Sequence, residues 1–209
     1  MKYLLLLLLT VGLGVSIGAH YYNNNISPKV AINIPVAKPP IILLKKTVAN
    51  LKKYAAAHGY NTQYVFVINM AVSSGSKRFY IINCTNDSIE NSGLVAHGSG
   101  SETKGGTLTF NNTINSHASS IGKYKIGNSY QGTFGLAYKL YGLDATNSKA
   151  LERFVVLHSH SCVPNYEVHP QPICVSWGCP TVNPIFLQVL QGYISKATKP
   201  ILLDIECIQ

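Results

Sequence analysis

Six residues that could bind a metal or carry out nucleophilic chemistry lie within one short segment. They are His158, His160, Cys162, His169, Cys174 and Cys179. His and Cys are the usual ligands of zinc, but the segment has no C-x-x-C pair, and its first three members do not match the common spacings of structural zinc sites. We therefore expect no metal and no other cofactor. The pattern instead favours a cysteine nucleophile that a histidine activates.

Cys179 is the main candidate for the nucleophile. It follows Gly178, a residue type that lets the main chain come close to a substrate. A catalytic thiol needs a base, and it needs main-chain N–H groups that hold the developing oxyanion. His158 follows the apolar run 154–157 and would be a rigidly placed base at a strand end, with His160 as a rival. On these residues alone, a structural role for Cys179 is an equal alternative.

The elements that must position these side chains are mainly strands. Apolar and β-branched runs predict strands at 64–68, 78–82, 94–97, 124–126, 134–138, 154–157 and 201–205. The first two form a hairpin across a Ser-rich turn, and residues 98–115 form a long surface loop. Helices are predicted from Leu44 to about His58, at 148–153 and at 185–196, the last one capped by Asn183. The fold class is mainly β with a few peripheral helices.

The first 19 residues have the composition of a secretory signal peptide. Lys2 is followed by an apolar stretch that ends in the small residues Gly18 and Ala19. The stretch is about 16 residues long, shorter than the roughly 18 to 20 that span a bilayer. An uncleaved membrane anchor is the alternative. We expect an exported protein of the periplasm or cell envelope, with a linker at 20–41 and one domain at 42–209.

Basic residues outnumber acidic ones. The chain contains 17 Lys and Arg against 8 Asp and Glu, and its net charge is +9. This charge is spread thinly, and only Arg78 and Arg153 are arginines, which argues against a nucleic-acid partner. In an exported protein such a surface suits an anionic cell wall or lipid head groups. Simple solubility charge explains it equally well.

Several ordered motifs resemble the YkuD-type L,D-transpeptidases, and in particular their murein L,D-transpeptidase branch. The pair His158-Ser159 and the later segment 176–179, Ser-Trp-Gly-Cys, resemble the family's strand-end histidine and its Ser/Thr-His-Gly-Cys motif. Residues 74–82 resemble the strand where these domains begin, and 95–100 resemble the next strand and turn. Residues 116–124 occupy the place of the family's Thr-Pro-x-Gly loop. Together these motifs are much more specific than the cysteine motif alone.

The resemblance implies a YkuD-like β-sandwich or barrel and acyl transfer on peptidoglycan stem peptides by a monomer. Cys179 would attack an L-centre carbonyl and release the terminal D-Ala, and an amine of a second stem would resolve the thioester. His158 would be the base, the Ser159 carbonyl would orient it, and the N–H groups of Gly178 and Cys179 would form the oxyanion hole. The acceptor is open: a stem amine, a lipoprotein lysine, or water, which would give an L,D-carboxypeptidase. A non-catalytic wall-binding module is an alternative of another class.

Two departures from the family concern substrate recognition. Trp177 stands where most of the family has a second histidine. Pro180 replaces the Arg that follows the cysteine in many members, so the usual carboxylate-binding partner is missing at that position. We expect five residues to bind substrate: His97, His117, His160, Ser176 and Trp177.

The five cysteines leave one thiol unpaired in an oxidising compartment. If Cys179 is that free thiol, Cys162 and Cys174 bracket the loop between base and nucleophile. We predict a disulfide between them that stiffens this loop. Cys84 and Cys207 both end predicted strands, and whether they pair is left open.

Overall fold

One sheet dominates the domain. A computed structural model describes residues 41–208, so the predicted signal peptide (1–19) and all of the predicted linker (20–41) but its last residue lie outside the described residues. The strands are β1 Tyr64–Asn69, β2 Phe79–Asn83, β3 Ser88–Gly93, β4 Val95–Ala96, β5 Gly122–Gly132, β6 Gly135–Gly142, β7 Val156–Ser159, β8 Thr181–Val182 and β9 Leu202–Glu206. Two α-helices, α1 Ile41–His58 and α2 Pro184–Lys196, complete this part of the chain.

The sheet curls until its edges nearly meet. Its strand order is β3-β2-β1-β9-β5-β6-β7-β8-β4, which puts β3 and β4 at opposite edges. In the chain, however, only Leu94 separates these two strands. The sheet must therefore bend into a nearly closed barrel, because one residue cannot cross a flat sheet of this width. The predicted mainly β, barrel-like fold with peripheral helices is confirmed.

Strand β1 shows why both faces of the sheet are packed. Phe66 and Ile68 point into the main core, whereas Val65 and Val67 point into a second cluster beneath α1. This alternation follows the two-residue period of a strand. From α1, the predicted apolar face of Leu44, Val48, Leu51 and Ala55 packs in this second cluster.

Helix α2 begins at the cap expected for it. The side chain of Asn183 accepts a hydrogen bond from the Ile185 N–H at 2.8 Å, and Pro184 occupies the first helical position. Its buried residues Phe186 and Leu190 pack into the main core. Within the described residues, no helix is both long and apolar enough to cross a membrane.

Three local features differ from the predictions. Strand β3 was not predicted, because its sequence Ser-Ile-Glu-Asn-Ser-Gly is polar and mostly exposed at the sheet edge. The helix predicted at 148–153 is absent; a single 3₁₀ turn, Ala145–Asn147, is followed by turns up to Phe154. Phe154 itself was assigned to a strand but is 83% exposed with a positive φ of 54°. Strand β7 therefore begins only at Val156.

The cysteines divide as predicted for one bridge. Cys162 and Cys174 form a disulfide, and their Cα atoms lie 6.0 Å apart. Cys84 and Cys207 are free thiols. The Cys84 N–H donates to the Gln63 carbonyl just before β1, and the Met70 N–H just after β1 donates to the carbonyl of Glu206, the neighbour of Cys207. The two thiols therefore lie beyond opposite ends of β1. The second bridge, left open by the sequence, is not formed.

Candidate active site

A parallel strand pair brings the predicted base and nucleophile together. Strands β7 and β8 align His158 with Thr181, two residues after Cys179. Their ends open into a cavity of about 500 Å³, called the nucleophile cleft below. It is lined by Asn115, His117, Phe134, Arg153, Phe154, His158, His160, Cys162, Val175, Ser176, Trp177, Cys179 and Thr181.

The sulfur of Cys179 lies between a main-chain donor and a main-chain acceptor. The Val156 N–H donates to it at 3.5 Å, and the carbonyl oxygen of Phe154 lies 3.6 Å away. Burial raises the pKa of the Cys179 thiol, while the Val156 N–H and the charge of Arg153 oppose that rise. The resting group is therefore a thiol, and a base is needed to make it a nucleophile.

His158 is held in the tautomer of a base. Its Nδ1 lies 3.1 Å from the carbonyl oxygen of Ser159, which can only accept, so Nδ1 carries the proton. Nε2 is then free to accept, and it lies 2.9 Å from the Thr181 hydroxyl. Burial lowers the pKa of His158, and His160 lowers it further, so the ring is neutral near neutral pH.

The hydroxyl of Thr181 connects His158 to residues 176–179, called the nucleophile loop below. It lies 2.9 Å from His158 Nε2 and 3.3 Å from the carbonyl oxygen of Cys179. Its single proton can be given to only one of these two acceptors at a time. Within residues 41–208, no direct hydrogen bond joins His158 to the Cys179 sulfur, and the Thr181 hydroxyl occupies the acceptor position of His158 Nε2.

His160 also lines the cleft, but its ring makes a different hydrogen bond. Its Nδ1 accepts the Cys162 N–H at 3.1 Å, so in the neutral ring the proton is on Nε2. Phe134 covers both rings, parallel to His158 at 5.3 Å and edge-on to His160 at 5.2 Å. The arrangement favours His158 as the proton acceptor.

The nucleophile loop is fixed by Ser176 and Gly178. The Ser176 hydroxyl donates to the Cys179 carbonyl at 2.6 Å and accepts the Gly178 N–H at 3.2 Å. Gly178 has a positive φ of 109°, and a Cβ there would lie 2.8 Å from the carbonyl oxygen of Ala118. Only glycine fits such a position. The Gly178 N–H, expected to serve the oxyanion, is thus bonded within the loop.

His117 and Trp177 form an exposed wall of the cleft. Their rings stack 5.1 Å apart at an angle of 6°, and Trp177 is 79% exposed. His117 has a positive φ of 54°, as Phe154 does on the other side. Such strained, open residues are typical of functional sites.

His97, expected to bind substrate, lies away from this cleft. It lines a separate cavity of about 650 Å³, called the arginine cavity below, together with Arg78 and Glu102. Its Nδ1 is 2.9 Å from Arg78 Nη2, and its Nε2 is 3.5 Å from the Glu102 carboxylate. Burial and the charge of Arg78 lower the pKa of His97. Its carbonyl accepts the Ser176 N–H at 2.8 Å, so His97 supports the nucleophile loop through its main chain.

Six lining residues were not identified from the sequence: Asn115, Phe134, Arg153, Phe154, Val175 and Thr181. The two phenylalanines read as ordinary strand residues. Arg153 carried one usable signal, since it is one of only two arginines. Thr181 lies two residues after the nucleophile, and only the parallel pairing of its strand reveals its contact with the base.

A metal centre has no support in the described residues. Cys162 and Cys174 are joined to each other and so cannot act as thiolate ligands. Between residues 41 and 208, no group of three His, Cys, Asp or Glu side chains could hold a metal ion.

The fold and cleft define a class: a mainly β domain in which a parallel strand pair presents a cysteine and a histidine to one opening. The model of the family YkuD_2, described as the L,D-transpeptidase catalytic domain, matches residues 38–200. The chain belongs to this family. No curated protein sequence matches it significantly.

Solved structures with similarity to the chain are distant. The cell shape determining protein Pgp2 of Campylobacter jejuni is 11% identical, with 70% of this chain and 48% of that one covered and a TM-score of 0.44. The Ldtfm–avibactam carbamoyl enzyme is 11% identical, with 70% of this chain and 50% of that one covered and a TM-score of 0.43. The L,D-transpeptidase of Xylanimonas cellulosilytica is 15% identical, with 73% of this chain and 68% of that one covered and a TM-score of 0.39. The chain thus covers no more than 50% of the length of the first two proteins.

Proposed function

We propose that the protein is a cysteine-dependent L,D-transpeptidase that acts on peptidoglycan stem peptides. One observation carries the proposal: in a chain of this family, Cys179 and a neutral, oriented His158 line the same cleft. The predicted signal peptide supports export to the periplasm or cell envelope, where this substrate lies. The net charge of +9 suits an anionic wall as partner.

The proposed reaction begins with proton transfer from Cys179 to His158. The Thr181 hydroxyl turns from His158 Nε2 to the Cys179 carbonyl, and Nε2 then accepts the thiol proton. The thiolate attacks the carbonyl at the L-centre of the donor stem. The peptide C–N bond breaks, the amine of D-Ala takes the proton from His158, and a thioester remains on Cys179.

The second half of the reaction regenerates the thiol. An amine of a second stem attacks the thioester, gives a proton to His158, and displaces the sulfur. The proton returns to Cys179, and a new amide joins the two stems. Because the Cys179 N–H makes no hydrogen bond within the described residues, it is the donor still available for the tetrahedral oxyanion; the Gly178 N–H is engaged by Ser176.

The proposal is tested by incubating the full chain with tetrapeptide-bearing muropeptides. We expect cross-linked dimers and released D-Ala from the unchanged protein. Cys179→Ala should lower their formation by at least about a thousandfold, because the nucleophile is lost. Cys207→Ser, which alters another free and exposed thiol, is the matched control and should leave the rate unchanged.

Each other outcome has a definite meaning. Undiminished cross-linking by Cys179→Ala would refute catalysis through this thiol. Tripeptides without dimers would show that water is the acceptor and that the protein is an L,D-carboxypeptidase. Muropeptide binding without any product would support a wall-binding module. A carbapenem adduct on Cys179, detected by mass spectrometry, would independently identify the nucleophile.

A further inference from the structure

Arg153 lies directly beneath the nucleophile loop. It lines the nucleophile cleft with Cys179 and is half-buried. Its Nη2 would be 3.3 Å from a Cβ built on Gly178, so the guanidinium packs against the main chain just before the sulfur-bearing residue. No other Arg or Lys lines this cleft among the described residues.

The hydrogen bonds of Arg153 all go to uncharged acceptors. Nη1 donates to the Asn111 carbonyl at 2.9 Å and to the Ser120 hydroxyl at 3.1 Å. Nη2 donates to the Ser116 hydroxyl at 3.3 Å and to the Ala118 carbonyl. Four of the five N–H groups of the guanidinium are therefore used to hold the segment 111–120. This leaves little capacity to grip a substrate carboxylate.

The positive charge of Arg153 is not neutralised by a carboxylate. The ion pairs formed within residues 41–208 are Lys52–Asp87, His97–Glu102 and Lys123–Asp144, and none involves Arg153. No Asp or Glu lines the nucleophile cleft in the described part of the chain. In a partly desolvated cleft, such a charge acts on a nearby group more strongly than it would in water.

We propose that Arg153 is the positioning residue that makes the Cys179 thiol easier to ionise. Its hydrogen bonds fix the segment 111–120 against the nucleophile loop, and its uncompensated charge favours the ionised sulfur. The inference deepens the proposed function, since it assigns the electrostatic support of the same nucleophile. It also supplies a cation in a cleft where Pro180 leaves the expected arginine out.

The other titratable groups that line the cleft with Cys179 are three histidines. They are His117, His158 and His160. Burial lowers the pKa of His158, which keeps that ring uncharged near neutral pH. His117 is exposed to water and stacked on Trp177. Arg153 is the permanently charged member of the set.

The test measures how fast iodoacetamide alkylates Cys179 at a series of pH values, in the full chain without substrate. Mass spectrometry of the peptide that contains Cys179 separates this reaction from that of Cys207. Arg153→Met should react roughly tenfold more slowly at pH 7, with an unchanged plateau at high pH, because one pK unit is a tenfold change. Arg153→Lys, which keeps the charge, should recover most of the rate.

Two further variants make the outcome decisive. Lys149→Met removes an exposed cation four residues earlier that does not line the cleft, and it should alkylate like the unchanged protein. Arg153→Gln keeps hydrogen-bonding capacity without charge and replaces Arg153→Met if that variant does not fold. An unchanged pH profile in the folded Met or Gln variant would overturn the inference.

The assay also separates this inference from the proposed function, because alkylation needs no stem peptide. Loss of cross-linking in Cys179→Ala together with an unshifted Arg153 profile would leave the function intact and remove the role of Arg153. A shifted alkylation profile of the Arg153 variants together with full activity of Cys179→Ala would support the role of Arg153 and refute catalysis through this thiol.

Discussion

The two arginines occupy regions that use the same side chain differently. Arg78 in the arginine cavity is 1% exposed, and its guanidinium donates to the carbonyls of Val95 and Val72 and to His97. Burial lowers the pKa of Arg78 to about 10. Arg153 is half-buried and faces the thiol of Cys179. Both arginines donate to uncharged acceptors. The two regions therefore differ in how far water reaches the guanidinium and in the group beside it, His97 for Arg78 and Cys179 for Arg153.

One covalently closed loop connects the two regions. Cys162, at its start, lines the nucleophile cleft, whereas Pro172, near its end, lines the arginine cavity. The loop is anchored on the β1–β2 connection, where the N–H groups of Val168 and His169 donate to the Gly75 carbonyl. A substitution in the nucleophile cleft can therefore be tested for its effect on the arginine cavity, and a substitution in the arginine cavity for its effect on the cleft.

The largest expected difference in stability comes from Arg78→Met. This change leaves the carbonyls of Val95 and Val72 and the ring of His97 without their donor. We expect a loss of about 3–5 kcal/mol in the free energy of unfolding, measured with urea. Cys179 should keep its alkylation profile where the variant is folded. Lys77→Met, an exposed neighbour, is the control, and a loss as small as the control's would contradict a structural role for Arg78.

Removing the disulfide should lower stability by a smaller amount, but it should affect both the nucleophile cleft and the arginine cavity. The double variant Cys162→Ser with Cys174→Ser should unfold with about 3 kcal/mol less free energy, since the bridge spans 12 residues. The rate of Cys179 alkylation should also change, because Cys162 lines the nucleophile cleft and its N–H holds His160. Cys207→Ser is the control. An unchanged melting temperature in the double variant would show that the loop is held by its packing alone.

The smallest effect on stability, but a specific one on catalysis, is expected from Phe134→Ala. Phe134 is 57% exposed, so stability should change by less than about 0.5 kcal/mol. Burial is the largest cause that lowers the pKa of His158, and removing the ring over it should raise that pKa. His158 must be neutral to accept a proton, so activity should be lost at a higher pH on acidification. Profiles of kcat/KM against pH check this shift, with Tyr130→Ala, on the same hairpin, as control.

Much of the fold follows from local sequence patterns. The apolar spacing in α1 and the Asn-Pro cap of α2 predicted both helices, because helix faces and caps are set by residues close together in the chain. Strand β3 escaped this reasoning. It is held by main-chain pairing with β2 at an edge, which leaves no hydrophobic pattern in its side chains. The turn at Phe154 likewise gave no local signal, because a bulky residue rarely adopts a positive φ.

The site was predictable where spacing carries the chemistry. His158 lies in β7 and Cys179 lies two residues before the neighbouring β8, so the two residues singled out from the sequence line one cleft; their catalytic roles stay predictions. His97 lines the arginine cavity instead of the nucleophile cleft, because a strand-end residue can point to either side of a curled sheet. Arg153 was missed for a related reason: its partners at 111–120 are distant in sequence, and only the closed sheet brings them under the nucleophile loop.

The position of β9 has a consequence for how the chain acquires its fold. The last strand lies between β1 and β5, pairing Val65 with Leu202 on one side and Tyr124 with Leu203 on the other. The centre of the sheet is therefore incomplete until the C-terminal segment is available, and such long-range pairing is slow. A chain emerging from the ribosome would therefore leave the centre of its sheet incomplete until residues 202–206 had appeared.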